Sequence, residues 1–314
     1  MKYLVMTLQC QWLRQGNLPD FLGSTLRGTF GHLLKETVCD NTGVCKDCSR
    51  KFQCAYSLAF ETPWPENVSW ISKYPNAPHP FVFRFPKGGL VKEGQRFQIG
   101  LTLFGNVHSL LPPFLKAIYA QGRRGVGRDV VGFQVNGVYG SRGEKVLVPD
   151  ASGSGTDTIG VTEVPKLSFT PPVGFESAKA DFNSPCKLVY RGRPVLSFNA
   201  HAVSASILRR LSMMSAYHGS GSPDLDYRAW ISSASQSVPL TDNTSSAKIR
   251  RFSNRQQSSM EFYGFSGQVT METCPSSLAR LFEIGEVLHV GKATAFGFGH
   301  LTYIRNPDQG LEEA

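Results

Sequence analysis

The chain has 314 residues, 41% hydrophobic and 18% charged, with seven cysteines and a formal net charge of +9. That balance excludes a disordered chain, and the length suits about two domains, each able to bury its own core. No apolar run approaches the ~18 residues of a membrane span.

The N-terminal segment MKYLVMTLQCQWL, broken by Thr7, Gln9 and Gln11, does not read as a signal peptide. The expected location is the cytoplasm, where cysteines are thiols or metal ligands rather than disulfides. Residues 2–11 alternate as a strand. Beyond a Leu-Pro-Asp turn, GSTLRGTFGHLLKETV (23–38) spaces Leu26, Phe30, Leu33 and Leu34 as the apolar stripe of a helix. His32 falls opposite that stripe, sharing a face with Thr25, Gly28 and Lys35.

Cys39, Cys45, Cys48 and Cys54 follow as C-x5-C-x2-C-x5-C. They lie in a segment, 39–80, whose apolar periodicity is too weak for a core. Four thiols at this density suit a tetrahedral Zn²⁺ in a structural role, because four thiolates leave no open coordination position. An iron–sulfur cluster, or thiols without a ligand, are the alternatives. Cys10, Cys186 and Cys274 stand isolated and are expected to be buried or inert.

FVFRFP (81–86) and FQIGLTLFG (97–105) read as strands, LPPFLKAIYAQG (111–122) as a helix and FQVNGVYG (133–140) as a strand. Arg123, Arg124 and Arg128 surround Gly122, Gly125 and Gly127, a basic glycine turn that is either a phosphate site or a plain loop. DASGSGTDTIG (150–160) is small, polar and linker-like. The order then recurs: strand 165–172, helix 201–219, strands at KIRRFS and SMEFYGFSGQVTM, helix 275–290 and strand 296–304. The fold class is α+β. Two tandem ferredoxin-like (RRM-like, βαββαβ) domains, 1–150 and 161–314, flank a linker at 151–160, with a small cysteine-rich insertion at about 39–80.

Charge is unevenly spread. Gly94–Arg128 holds five Lys/Arg and no acid, and Phe182–Pro223 again five and none. Lys248, Arg250, Arg251 and Arg255 stand without a carboxylate between Asn243 and Met260. Such tracts suit a polyanion, and interleaved aromatics suit single strands. The Arg250–Arg255 strand is otherwise a solvated edge that resists aggregation. In HVGKATAFGFGHLTY, Gly291, Gly297 and Gly299 either present bare amides to an anion, with Lys292 adding charge, or make a tight connection.

Gly291, five residues, then Gly297-Phe298-Gly299 resembles the C-terminal signature of the RAMP superfamily of CRISPR proteins. LRGTFGHLLKETVC, TPPVGF, RFSNRQQSSMEFYGFSG and IGEVLHVGKATAFGFGH together resemble one member family, the CRISPR repeat-processing endoribonuclease Cas6, over about residues 19–303. His289 departs from the pattern, standing where the signature's first glycine would be. The resemblance implies two ferredoxin-like domains that grip CRISPR repeat RNA and cut it, leaving a 2′,3′-cyclic phosphate and a 5′-hydroxyl. It also implies CRISPR effector-complex subunits as further partners.

No metal is required for that cleavage, because the RNA's own 2′-hydroxyl is the nucleophile. The enzyme supplies a base, an acid for the 5′-oxygen and a cation for the transition state. Histidine suits the proton transfers, and the family resembles this chain in carrying one on or near its first helix. His32 is the first candidate, with Lys35 one turn away; the alternative is a surface histidine without a task. His289 and His300 flank the glycine loop, either contacting the scissile phosphate or holding the turn. Lys292, Arg250, Arg251 and Arg255 are the expected RNA contacts, joined by the arginines around Gly125. The rival functions are a non-catalytic RAMP protein holding guide RNA in an effector complex and an iron–sulfur redox protein.

Overall fold

The computed structural model describes residues 1–40, 44–63, 76–143, 145–147, 160–253 and 258–305. The expected linker, except Gly160, lies outside the described residues, as does Arg255. The chain divides into two compact units, Met1–Glu163 with Ala216–Ser220, and Val164–Ser215 with Gly221–Ala314.

The first unit runs β1 (Lys2–Trp12), β2 (Gly16–Phe21), α1 (Gly23–Val38), a 3-10 turn (Cys45–Asp47), α2 (Ala55–Phe60), β3 (Phe81–Arg84), β4 (Lys87–Val91), β5 (Arg96–Phe104), α3 (Val107–Arg124), β6 (Phe133–Gly140), β7 (Lys145–Leu147) and β8 (Thr162–Glu163). Its main sheet has the order β3-β5-β1-β6-β7, with β8 also pairing β1, while β2 and β4 form a separate ribbon. The four strands β1, β3, β5 and β6 therefore stand second-third-first-fourth across the sheet, the antiparallel ferredoxin-like arrangement. Alternation along β1 buries Leu4, Met6, Leu8, Cys10 and Trp12. On α1, the same period-3.6 stripe buries Leu26, Phe30, Leu33 and Leu34, and Phe30 packs edge-on to Phe83 and Phe114 at 5.1 and 4.9 Å. This aromatic knot fixes α1 on the sheet, so the opposite face of α1 is held rigidly outward.

The second unit runs β9 (Phe175–Cys186), β10 (Val189–Tyr190), β11 (Arg193–Pro194), α4 (Ala200–His218, whose last three residues group with the first unit), α5 (Tyr227–Ala234), β12 (Thr241–Ser253), β13 (Ser258–Pro275), α6 (Ser276–Leu288) and β14 (Leu301–Arg305). Its sheet order, β12-β13-β9-β14, repeats the arrangement of the first unit. Phe182 meets Phe265 and Phe282 at 5.0 and 6.5 Å. Gly285 lets α6 close on Ile207 of α4 and Leu301 of β14, since a Cβ there would meet their side chains at 3.1 and 2.9 Å.

Three expectations move, the first being the Leu18-Pro19-Asp20 turn, which lies within β2. Residues 165–172 are not a strand; the first strand of this unit is β9, beyond Pro171 and Pro172. Its buried positions include Ala178 and Ala180, too small to raise an alternation signal. The last strand starts at Leu301 rather than 296, because Gly297 and Gly299 take φ of +89° and +68°, which no strand accommodates. No helix of the described residues is long and apolar enough to cross a membrane.

Candidate active site and nucleic-acid interface

His32 is exposed on α1, with Gly28 one turn before it and open space where a Gly28 Cβ would stand. One turn after it, Glu36 accepts an ion pair from Arg124 at 3.4 Å. That contact brings the end of α3 to the His32 face; Gln121 seats it there by donating to Leu26 O at 2.7 Å. Lys35 lies with its Nζ 5.4 Å from the Tyr56 ring centroid. Among the described residues the His32 ring makes no hydrogen bond. The face therefore offers an imidazole and space, with Lys35 and the Glu36-paired Arg124 nearby. His79, by contrast, is spent within the fold: Arg27 donates to its Nε2 at 3.1 Å and its Nδ1–H donates to Ala59 O at 2.7 Å.

In the second unit the glycine loop folds against the end of β9. Lys292 N donates to Lys187 O at 3.0 Å, Val290 N to Gly299 O at 2.8 Å and Gly299 N to Pro185 O at 3.0 Å. Ser184 Oγ donates to Gly297 O at 2.7 Å and accepts from His300 N at 2.9 Å. A Cβ on Gly299 would stand 1.8 Å from Val290 O, and one on Gly291 2.6 Å from Lys187 O. These glycines answer to the close approach of the protein's own backbone. What the loop presents outward is the exposed Lys292, which lies in register with Lys187 across an isolated bridge. His289 is buried at 0% exposure, and its Nδ1–H donates to Phe298 O at 3.0 Å. Its ring stacks on His300 at 5.3 Å, so His289 braces the loop and offers no surface to a substrate.

The arginine strand is less cationic than its sequence. Glu261, just past the acid-free tract, stands opposite Arg250 in the β12–β13 ladder. Both Arg250 Nε and Lys248 Nζ reach its Oε1 at 2.9 Å. Tyr263 first, then Lys248 and Arg250, hold the Glu261 carboxyl down at about 2. Arg251 pairs with Met260 through its backbone, and its side chain lies outside what the structure describes. Around Gly125, Arg123, Arg124 and Arg128 are exposed, while Gly122 and Gly125 make room for the carbonyls of Phe133 and Val130.

Cys39 closes α1, Cys45 opens and Cys48 closes the 3-10 turn, and Cys54 precedes α2. All four are half-buried and outside any disulfide of the described residues. Burial raises the Cys45 thiol, Lys35 lowers it, and Cys39 and Cys54 raise it further, so these groups share one neighbourhood. Among the described residues no three His, Cys, Asp or Glu stand as a metal-holding group. Burial alone pushes Cys10 up to about 12 and raises Cys186, and it is the main cause that takes Cys274 to about 12; all three are inert core thiols.

Three residues escaped the reading of the sequence. Tyr190, Arg191 and Arg193 form a hairpin directly after Lys187, and the only signal for it was the acid-free tract Phe182–Pro223.

Residues 180–301 match the family model of the CRISPR-associated endoribonuclease Cas6, and residues 1–155 match the N-terminal-domain model AF_1859_N. Comparison with curated protein sequences found no match. Among solved structures, a Cas6 product complex is similar at 16% identity and a TM-score of 0.56, covering 96% of this chain and 100% of that one. A Thermus thermophilus Cas6 is similar at 15% identity and a TM-score of 0.53, covering 96% and 98%. A partial complex of Cas6-RT-Cas1 with Cas2 is similar at 10% identity and a TM-score of 0.56, covering 100% of this chain and 47% of that one. At these identities the likeness establishes the fold.

Proposed function

We propose that this chain, a Cas6-family protein through its residues 180–301, is a metal-independent endoribonuclease of CRISPR repeat RNA working in the cytoplasm. The RNA's 2′-hydroxyl attacks the adjacent phosphate, the 5′-oxygen leaves, and the products carry a 2′,3′-cyclic phosphate and a 5′-hydroxyl. One observation carries the catalytic half of this reading: His32 is exposed on a rigidly held helix, beside open space at Gly28 and a cation at Arg124. Imidazole moves the proton; Lys35 and Arg124 offset the charge that develops on the phosphate. Lys292 and the exposed arginines hold the strand, and His289 and Ser184 keep the loop in shape. The matched complex of Cas6-RT-Cas1 with Cas2 favours CRISPR complex subunits as further partners.

The test is chemical. Labelled repeat RNA incubated with the protein in excess chelator is expected to give one discrete cut. Its 5′ fragment should resist phosphatase until acid opens the cyclic end. Tight binding without cleavage would favour the non-catalytic RAMP reading.

The four insertion cysteines are assigned a structural zinc. Cys39, Cys45, Cys48 and Cys54, each at a cap or turn, would hold it, and four thiolates would close its coordination and tie the insertion together. Elemental analysis is expected to return one zinc per chain, and Cys48→Ser to lower the melting temperature far more than the single-turnover rate. No stoichiometric metal would end this assignment; a brown protein would replace zinc by an iron–sulfur cluster.

A further inference from the structure

The hairpin after Lys187 has a composition that its fold does not require. Tyr190 and Arg193 are paired neighbours in the β10–β11 ladder, joined by the two-residue turn Arg191-Gly192. Both turn residues have positive φ, +49° and +78°. Turns of this kind favour Asn, Asp or Gly at the first position, and an arginine there is strained. A strained, exposed arginine points to use of its side chain. Its guanidinium lies 5.2 Å from the Tyr190 ring centroid, and the His201 ring lies 5.0 Å from the same ring.

Beside this hairpin is an open cavity of about 520 Å³, lined by Tyr190, Arg191, Arg193, Pro194, Val195 and Ser197–Asn199. That volume is in the range of small-ligand sites. Among the described residues neither arginine is in an ion pair. Lys187 and Lys292 continue the positive surface from the root of the hairpin into the glycine loop. Lys187 lies 3.7 Å over the Phe262 ring. A tyrosine ring with an unpaired guanidinium over it, a second unpaired arginine opposite it in the ladder and a cationic track beside it suit an unpaired nucleotide: the base takes the place of Arg191 on the ring and the arginines take its phosphates.

We propose that this cavity is a subsite for one unpaired nucleotide of the bound RNA, stacked on Tyr190 and held through phosphate by Arg191 and Arg193. The proposal rests on the RNA-binding reading above and adds to it where a single-stranded segment runs.

The test uses the full chain and a labelled single-stranded RNA of mixed sequence at low salt. Tyr190→Ala is expected to weaken binding about tenfold, the loss of one stacked base. Arg191→Gly with Arg193→Gln should flatten the salt dependence by about 1.4 in log–log slope, two phosphate contacts on a single strand. Arg191→Gly relieves the turn, so its melting temperature should equal or exceed the parent's. If that variant is as stable as the parent and weak in binding, a purely structural role is ruled out. If these variants bind like the parent while Lys292→Ala binds worse, the RNA reading stands and the subsite is wrong. A parent that binds no RNA overturns both.

Discussion

His32→Ala is expected to slow repeat-RNA cleavage by about 10²–10⁴-fold, the usual cost of losing one general acid or base, while repeat binding stays nearly intact. The core faces of α1 explain why the variant should fold: Leu26, Phe30, Leu33 and Leu34 carry the packing, and His32 is exposed on the far side. Alanine there is a better helix former than histidine, so the melting temperature should not fall. Binding should survive, because the proposed RNA contacts are spread over Lys292 and the arginines. Lys35→Ala should slow cleavage less, since Arg124 remains near the same face through Glu36. Parental single-turnover rates in His32→Ala would remove this histidine from the chemistry.

The second large effect is on stability. Gly299→Ala is expected to cost more than about 3 kcal/mol, the range of a strained residue forced into a packed site. Part of that is the left-handed backbone at φ +68°, about 1–2 kcal/mol for a residue with a Cβ. The rest comes from Val290 O, which a Cβ would meet at 1.8 Å; separating them breaks the bonds from Val290 N to Gly299 O and from Gly299 N to Pro185 O. Gly89→Ala is the control. It has φ +91° with nothing within 4 Å of the new Cβ, so only the strain is felt. For a unit of this size, 3 kcal/mol corresponds to a fall of about 6–12 °C in melting temperature. If Gly299→Ala melts like the parent but no longer binds RNA, the glycines serve the ligand and not the packing.

Both effects trace back to what a sequence displays. The bounds of α1 and the outward position of His32 were legible because a 16-residue amphipathic helix repeats its pattern often enough to be unambiguous. The ladder order was legible from two runs of the same element series. β9 was misplaced because alanine and asparagine mute its alternation, and the prolines upstream looked like a strand end. The glycine loop was recognised, but the sequence left an anion site and a tight connection both open. Packing of Gly299 on Val290 depends on a contact nine residues back along the chain, and that of Gly291 on Lys187, more than a hundred residues away. Spacing carries neither. Likewise, the acid-free tract around Arg250 ended one residue before Glu261, and hairpin pairing brought the two together. Charge counted along a strand misses the strand beside it.

The central claim is that repeat RNA is cut through its own 2′-hydroxyl, with the protein moving protons. Two repeat RNAs, one all-ribose and one with a single 2′-deoxy nucleotide at the cleavage position, test it in excess chelator. The all-ribose RNA should be cut at one position to a cyclic phosphate, and the deoxy RNA should bind equally and stay whole. Cleavage of the deoxy RNA at the same bond, or of neither RNA until a divalent cation is restored, would contradict the account.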